Sequence, residues 1–527
     1  MESETDERVQ GFMRTLERGR NRLESVEVPS FLTKLALLGL VAFYLLVTAV
    51  MAMRQLWHDE LFTYYIAQAP SLGRLWEEIH LDLNPPLLYL ATRGSLALLG
   101  DHPYAVRLPS ILAFLAGSLC LYVWVARRLR PSYGLLAMLA FWSTPFFNYA
   151  AEARPYGLII GFFGMAALAY QNAVQPARRA RSTALLGAAV LGMMLSHLFA
   201  VFYLAPFGFA ELVRLYRRRK PDWSLWTALV IPAFFPFIYI PLVARFEGSV
   251  FPVAFQASLH RIASFYFVNI KPEGPVLLIA LCAALLIAFR RERSAVPDKI
   301  LPRGWETAFI LGALAIPAVI NLVLMRSHGA FFDRYGSPAA FGLALGMVFF
   351  IAAYTNVSRL AAVAAGCVLL LYIPAENVLS TAAQLLHRHS ASATAPIDAV
   401  EPELPLVAAS GLTFLEMDKY ASPGLAARLY YLTDTQFAIQ YAHATIFEGI
   451  PVLKRYFPIR AGVEPFRQFI QLHRKFLVLG TPGYPEDWLL RKLMADGDEL
   501  KYLGDFPGPY KDTSLYEVTV SGSSVTY

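Results

Sequence analysis

Residues 35–61 read LALLGLVAFYLLVTAVMAMRQLWHDEL, and the transition inside this stretch decides the architecture. From Leu35 to Met53 no residue is charged, and the run is long enough to cross the hydrocarbon core of a bilayer. A charged arm with Arg14, Arg18, Arg20 and Arg22 precedes it, and no small-residue cleavage site follows. The run therefore predicts a retained first span behind an amphipathic cytoplasmic segment over residues 1–30. Trp57-His58-Asp59-Glu60 follow the span almost at once. Adjacent acids beside a membrane are costly unless they are solvated or used. Equally, carboxylates in a first helical turn meet the helix dipole favourably.

The rest of the chain repeats this alternation. Of 527 residues, 56% are hydrophobic and only 16% charged, well below the roughly 25% charged residues of soluble domains; the mean hydropathy is +0.45. Further apolar runs lie at Leu108–Ala126, Tyr133–Ala151, Pro155–Tyr170, Trp226–Val243, Pro275–Phe289, Thr307–Met325, Ser337–Tyr354 and Leu360–Ile373. The long run Leu185–Val213 is expected to fold back near His197 and supply two spans. The pattern predicts a polytopic α-helical membrane protein of about eleven transmembrane helices. Cys120, Cys282 and Cys367 each sit in an apolar run and predict no disulfide.

The net charge of +7 is a matter of topology, not of nucleic acid. Arg127, Arg128 and Arg130, then Arg178, Arg179 and Arg181, then Arg217, Arg218, Arg219 and Lys220, then Arg290, Arg291 and Arg293 occupy every second loop. The positive-inside rule makes these loops cytoplasmic and puts the C-terminus outside. Pro85–Gly100 is apolar but short and carries Arg93; as a span it would reverse every later cluster, so it is expected to be an interfacial or re-entrant helix within 54–106. The expected division is a membrane domain over 31–384 and a soluble outer α/β domain over 385–527, where Leu515–Val520 alternates with period two and Glu486–Met494 reads as helix.

On this topology the unusual polar residues gather on the outer face. They are Asp59 and Glu60, Asn84-Pro85-Pro86, Arg107, Glu152 and Arg154 with Tyr156, and a late loop with Arg326, His328, Asp333, Arg334 and Tyr335. Each has a plain alternative: Asn84 as a helix N-cap before proline, Arg107 snorkelling to headgroups, Glu152 and Arg154 as an exposed pair, His328 as a bystander. Together, carboxylates and arginines around an outward cavity suit a phosphate-bearing substrate whose tail stays in lipid.

The series Asp59-Glu60, Asn84-Pro85-Pro86-Leu87-Leu88-Tyr89, Arg107-Leu108-Pro109-Ser110, Glu152-Ala153-Arg154-Pro155-Tyr156 and Asp333-Arg334-Tyr335 resembles the GT-C superfamily of integral-membrane glycosyltransferases. The likeness is to the branch of protein O-mannosyltransferases (family 39) and lipid A aminoarabinose transferases. It implies a polyprenyl-phosphate-linked sugar donor, a periplasmic hydroxyl acceptor on protein, lipid or glycan, and a bacterial inner-membrane location. By the same likeness Asp59, Glu60 and Glu152 are catalytic, with Asp59 the base. Arg107, Arg154 and Arg334 hold the donor phosphate, and Asn84, Tyr156, His328 and Tyr335 bind substrate. Relatives often carry histidine where this chain has Asn84; no cofactor is assigned, and a divalent metal stays open. A small-solute transporter, a tail-borne binding function and an oligosaccharide donor are the competing expectations.

Overall fold

The computed structural model describes residues 30–175, 179–239, 241, 255–270, 278–279, 281–282, 300–327, 329–390, 395–481, 484, 487–506 and 513–521. The N-terminal segment, the predicted span Pro275–Phe289 almost entirely, the 290–293 cluster and His328 fall outside them. Every other predicted span coincides with a helix. In order these are α1 (Ser30–Met51), α5 (Pro103–Arg128), α6 (Pro131–Trp142), α7 (Pro155–Ala173), α8 (Arg179–Met194), α9 (Ala205–Arg218), α10 (Trp223–Ala233), α12 (Gly304–Arg326), α13 (Ala339–Tyr354) and α14 (Arg359–Ser390). Between α1 and α5 lie three short helices, α2 (His58–Ala67), α3 (Leu72–Glu78) and α4 (Leu87–Leu99); α11 (Leu259–Ile270) precedes α12. Five of the described helical segments are long and apolar enough to cross a membrane.

The differences from the sequence pattern have local causes. The run Tyr133–Ala151 stops being α-helical at Trp142 and continues as a 3₁₀ turn over Pro145–Ala151, since Pro145 removes a helical donor. Pro232 and Pro236 do the same to the run after Trp226. The last span continues to Ser390, past the boundary expected at 384. At His197 the chain does fold back: the His197 Nδ1 accepts from the Phe199 amide at 3.0 Å, capping a 3₁₀ turn that leads into α9. The thirteen-residue α4 is only ~20 Å long, too short for a ~30 Å core. Its Arg93 is explained by local bonding. The guanidinium donates to the carbonyls of Ala67 (3.2 Å) and Ala69 (2.6 Å), satisfying the C-terminal end of α2.

Helices α5 and α7 make the closest pair, and glycine permits it. A Cβ on Gly157 would lie 2.7 Å from Ser110 Cβ, one on Gly164 2.7 Å from Gly117 Cα, and one on Gly161 would run into the Ala113 carbonyl. Such small-residue seams let membrane helices approach to backbone contact. This contact sets the site, because Arg107 rides on α5 and Arg154 caps α7. Ser110 also ties the two helices, donating to the Arg154 carbonyl at 3.2 Å.

The tail forms a six-stranded sheet in the order β3-β2-β1-β4-β6-β5, from β1 (Leu406–Ala408), β2 (Leu429–Thr433), β3 (Gly462–Pro465), β4 (Lys475–Gly480), β5 (Glu499–Phe506) and β6 (Thr513–Thr519). The first four strands run parallel, while β6 is antiparallel to β4 and β5. One face of this sheet shares an apolar core with α2, through Leu61, Tyr65 and Ile66 against Phe414, Leu415 and Phe457. Gly161→Ala is expected to push α5 and α7 apart and destabilise the protein by about 1–3 kcal/mol, read as a lower unfolding midpoint in detergent.

Candidate active site

Asp59 and Glu60 occupy the first turn of α2, but their environments differ. Glu60 is fully buried and paired with Arg107 through two bonds, Nε to Oε1 at 2.7 Å and Nη2 to Oε2 at 2.5 Å. Glu60 also accepts from the amides of Ala153 (2.7 Å) and Trp57 (3.3 Å). The remaining Arg107 donors reach the carbonyls of Ala52 (2.9 Å), Arg54 (2.6 Å) and Gln55 (3.0 Å). All five N–H groups of Arg107 are thus engaged by the protein. In the structure Arg107 locks the end of α1 to the start of α2 and, through Glu60, to the loop before α7.

Asp59 faces two other arginines. Arg334 Nη1 donates to its Oδ2 at 2.9 Å, and Arg154 Nε stands 3.8 Å from the same oxygen. Arg154 Nη1 donates to the Asp59 backbone carbonyl (3.0 Å) and to both oxygens of Asp82, at 3.0 and 2.9 Å. Burial pushes the Asp59 carboxyl up, but Arg154 and Arg334 outweigh it and hold the group below its ordinary range. Arg154 Nε and Arg334 Nε are both buried with no hydrogen-bond partner among the described residues. Glu152 Oε2 is likewise buried and without a hydrogen-bond partner. Burial and the neighbouring Glu60 push the Glu152 carboxyl up to about 7, against the pull of Arg54, Arg107 and Arg334.

The aromatic residues form one wall. The Tyr156 ring lies 6.0 Å from the Arg334 guanidinium carbon and 5.6 Å from the His197 ring, which in turn stands 5.6 Å from Tyr335. Asn84 is buried and donates to the Asp82 carbonyl at 3.1 Å, shaping the turn that presents Asp82 to Arg154. Asp82 is absent from the sequence-based expectation, as are His197, Glu416 and Tyr420. The last two belong to a helix of the tail, α15 (Gly411–Tyr420). Glu416 accepts from the His58 amide at 3.0 Å and Tyr420 from the Leu56 amide at 2.7 Å, so the tail satisfies the first amide of α2 and one in the segment leading to it. Among the described residues no three His, Cys, Asp or Glu side chains converge as metal ligands. Asp59 and Asp82 are each already bound to guanidinium, so these residues do not fit a divalent ion.

Residues 83–240 match the dolichyl-phosphate-mannose-protein mannosyltransferase family. The fold is similar to that of ArnT from Cupriavidus metallidurans in the apo state, with a TM-score of 0.50 at 13% identity over 92% of this chain and 98% of that one. The fold is thus like that of this membrane protein, and the family likeness covers 158 of the 527 residues. The same Cupriavidus protein bound to undecaprenyl phosphate aligns with this chain at 16% identity over 93% and 98% of the two chains, with a TM-score of 0.49. No curated protein matches the sequence. The matched segment begins at Leu83 and includes Arg107, Glu152 and Arg154 but not Asp59 or Arg334.

Two outcomes follow from this geometry. Glu60→Ala should strip Arg107 of its buried counter-charge and cost about 3–5 kcal/mol of stability, measured by thermal unfolding in detergent. Glu152 keeps a proton in the folded state that the unfolded chain releases near 4.5. Its contribution to stability therefore falls as pH rises from 4.5 towards 7, and Glu152→Gln should flatten that part of the unfolding profile.

Proposed function

We propose that the protein transfers a sugar from a polyprenyl-phosphate-linked donor to a hydroxyl group on the outer face of a bacterial inner membrane. The observation that carries this reading is the pair Arg154 and Arg334, converging on Asp59 with an Nε on each that makes no hydrogen bond among the described residues. Two permanent cations with such donors beside the ends of membrane helices suit a phosphate whose isoprenoid tail remains in lipid. The relative bound to undecaprenyl phosphate carries a ligand of that chemical class. The positive-inside distribution supports a cytoplasmic N-terminus and a periplasmic tail domain.

In this mechanism the acceptor oxygen attacks the anomeric carbon while the carbon–oxygen bond to phosphate breaks. The electron pair leaves with the phosphate, where Arg154 and Arg334 offset the gathering negative charge. The acceptor proton passes to Asp59, and a single displacement inverts the anomeric configuration. Donor phosphate competes with Asp59 for the two guanidiniums, so its arrival raises the basicity of the carboxylate as it is needed. Arg107 and Glu60 act as positioning residues. Glu152 orients the acceptor or a guanidinium.

The test is incubation of the purified protein with a panel of polyprenyl-phosphate monosaccharides and membrane extract, reading released polyprenyl phosphate. One sugar should support release, and Asp59→Asn should abolish it in correctly inserted protein. Arg334→Gln should lower kcat/KM by about 100- to 1000-fold. With Asp59 as base, activity persists until pH falls to the ordinary carboxylate range or below, near ~4. An acidic limb near 7 that disappears in Glu152→Gln would transfer the role of base to Glu152. Absence of release from folded protein across the panel would overturn the monosaccharide donor.

A further inference from the structure

At the opposite end of the helix bundle from Asp59 the chain builds a second amphipathic site. Arg154 caps the N-terminus of α7, and Arg179 begins the next helix after the C-terminus of α7. The nineteen residues of α7 separate these ends by ~28 Å, nearly the thickness of a bilayer core. There α8 and α10 diverge around a groove of about 960 Å³, lined by Arg179, Arg181, Thr183, Gly187, Ser224 and Ile231 among others.

Two arginines, Arg179 and Arg181, line the groove, and Arg179 belongs to an ionic cluster beside it. The buried carboxylate of Asp222 receives Arg179, Arg214 (3.5 Å) and Arg218 (2.9 Å), so three guanidiniums share one negative charge there. Arg214 also pairs with Glu211. Arg181 is exposed and has no ion pair among the described residues, so a net positive charge faces the opening. The Ser224 hydroxyl stands between Arg179 (3.0 Å) and Asp222 (3.0 Å), and Thr183 Oγ1 is buried with no hydrogen-bond partner among the described residues. Below this rim the walls turn apolar. Gly187 leaves the floor low, Ile231 is 64% exposed, and Trp223 at the head of α10 is 73% exposed, as suits an interfacial anchor. From Ser224 to Ile231 the wall runs ~10 Å along the helix.

A fixed cationic rim over a narrow apolar cleft matches a molecule with an anionic head and a hydrocarbon tail. We propose that this groove binds one anionic glycerophospholipid of the inner leaflet. Its phosphate rests against Arg179 and Arg181, and one acyl chain lies over Gly187 along Ile231. The site stands apart from the transfer reaction and does not depend on it.

Native mass spectrometry of the full chain in detergent tests this, using phosphatidylglycerol and phosphatidylcholine of identical acyl chains. One phosphatidylglycerol should be retained in preference to phosphatidylcholine. Arg181→Gln should weaken that preference about fivefold, and Gly187→Leu, which fills the cleft, should abolish retention. Arg181 is exposed, so its variant reports on binding without a folding defect. Equal retention of the two lipids, or retention of phosphatidylglycerol unchanged in both variants, overturns the proposal. So does preferential retention of undecaprenyl phosphate from an equal mixture, which would give the groove to the carrier lipid.

Discussion

A buried ion pair that cannot be left half-made governs this structure. Arg107 and Glu60 are enclosed at the end of the bundle, and removing either charge would strand the other without water. The pair therefore persists only with complete hydrogen bonding, which three backbone carbonyls and two backbone amides supply. Those groups come from the end of α1, the approach to α2 and the loop before α7. Satisfying one arginine thus brings three separate parts of the chain to fixed positions, and Asp59 is carried along because it is the neighbour of Glu60. The glycine seam between α5 and α7 makes this possible, since any side chain there would hold Arg107 away from the Arg154 loop.

From that frame the two adjacent acids acquire opposite tasks. Glu60 points into the protein and serves the fold. Asp59 points to Arg154 and Arg334, whose Nε donors make no hydrogen bond among the described residues. A third acid, Glu152, lies near the first two in an apolar setting that favours its protonated form. Carboxyl groups set so close tend to differ in protonation, because each ionised member discourages the next. The tail domain also takes part in this arrangement. By bonding the first amide of α2 with Glu416 and one just before it with Tyr420, it fixes the turn that bears Asp59.

Much of the architecture was legible because a bilayer imposes a strong one-dimensional signal. Apolar runs and alternating arginine clusters located the helices described above, and the short Pro85–Gly100 segment was recognisable from its length and Arg93. The breaks at Pro145 and Pro232 were visible as residues but not as consequences, since hydropathy averages over them. In the tail, Leu515–Val520 read as a period-two segment, and β6 covers most of it. The pairing of strands in a mixed sheet was not legible, because register depends on partners far apart in sequence.

Among the site residues, type and position along the chain were set by sequence: acids and arginines near helix ends. Which of them meet was decided only in three dimensions. Arg107 and Arg154 look alike along the chain, yet one is saturated by backbone carbonyls and the other keeps a donor that makes no hydrogen bond among the described residues. Asp82 carries no motif of its own and gains its place through a turn held by Asn84. Sequence alone fixes which groups carry charge and marks where apolar helices are expected to cross lipid, because membrane insertion reads composition. Tertiary structure decides which charges are satisfied inside the protein and which remain for a ligand, because hydrogen bonds depend on distance and direction across packed helices.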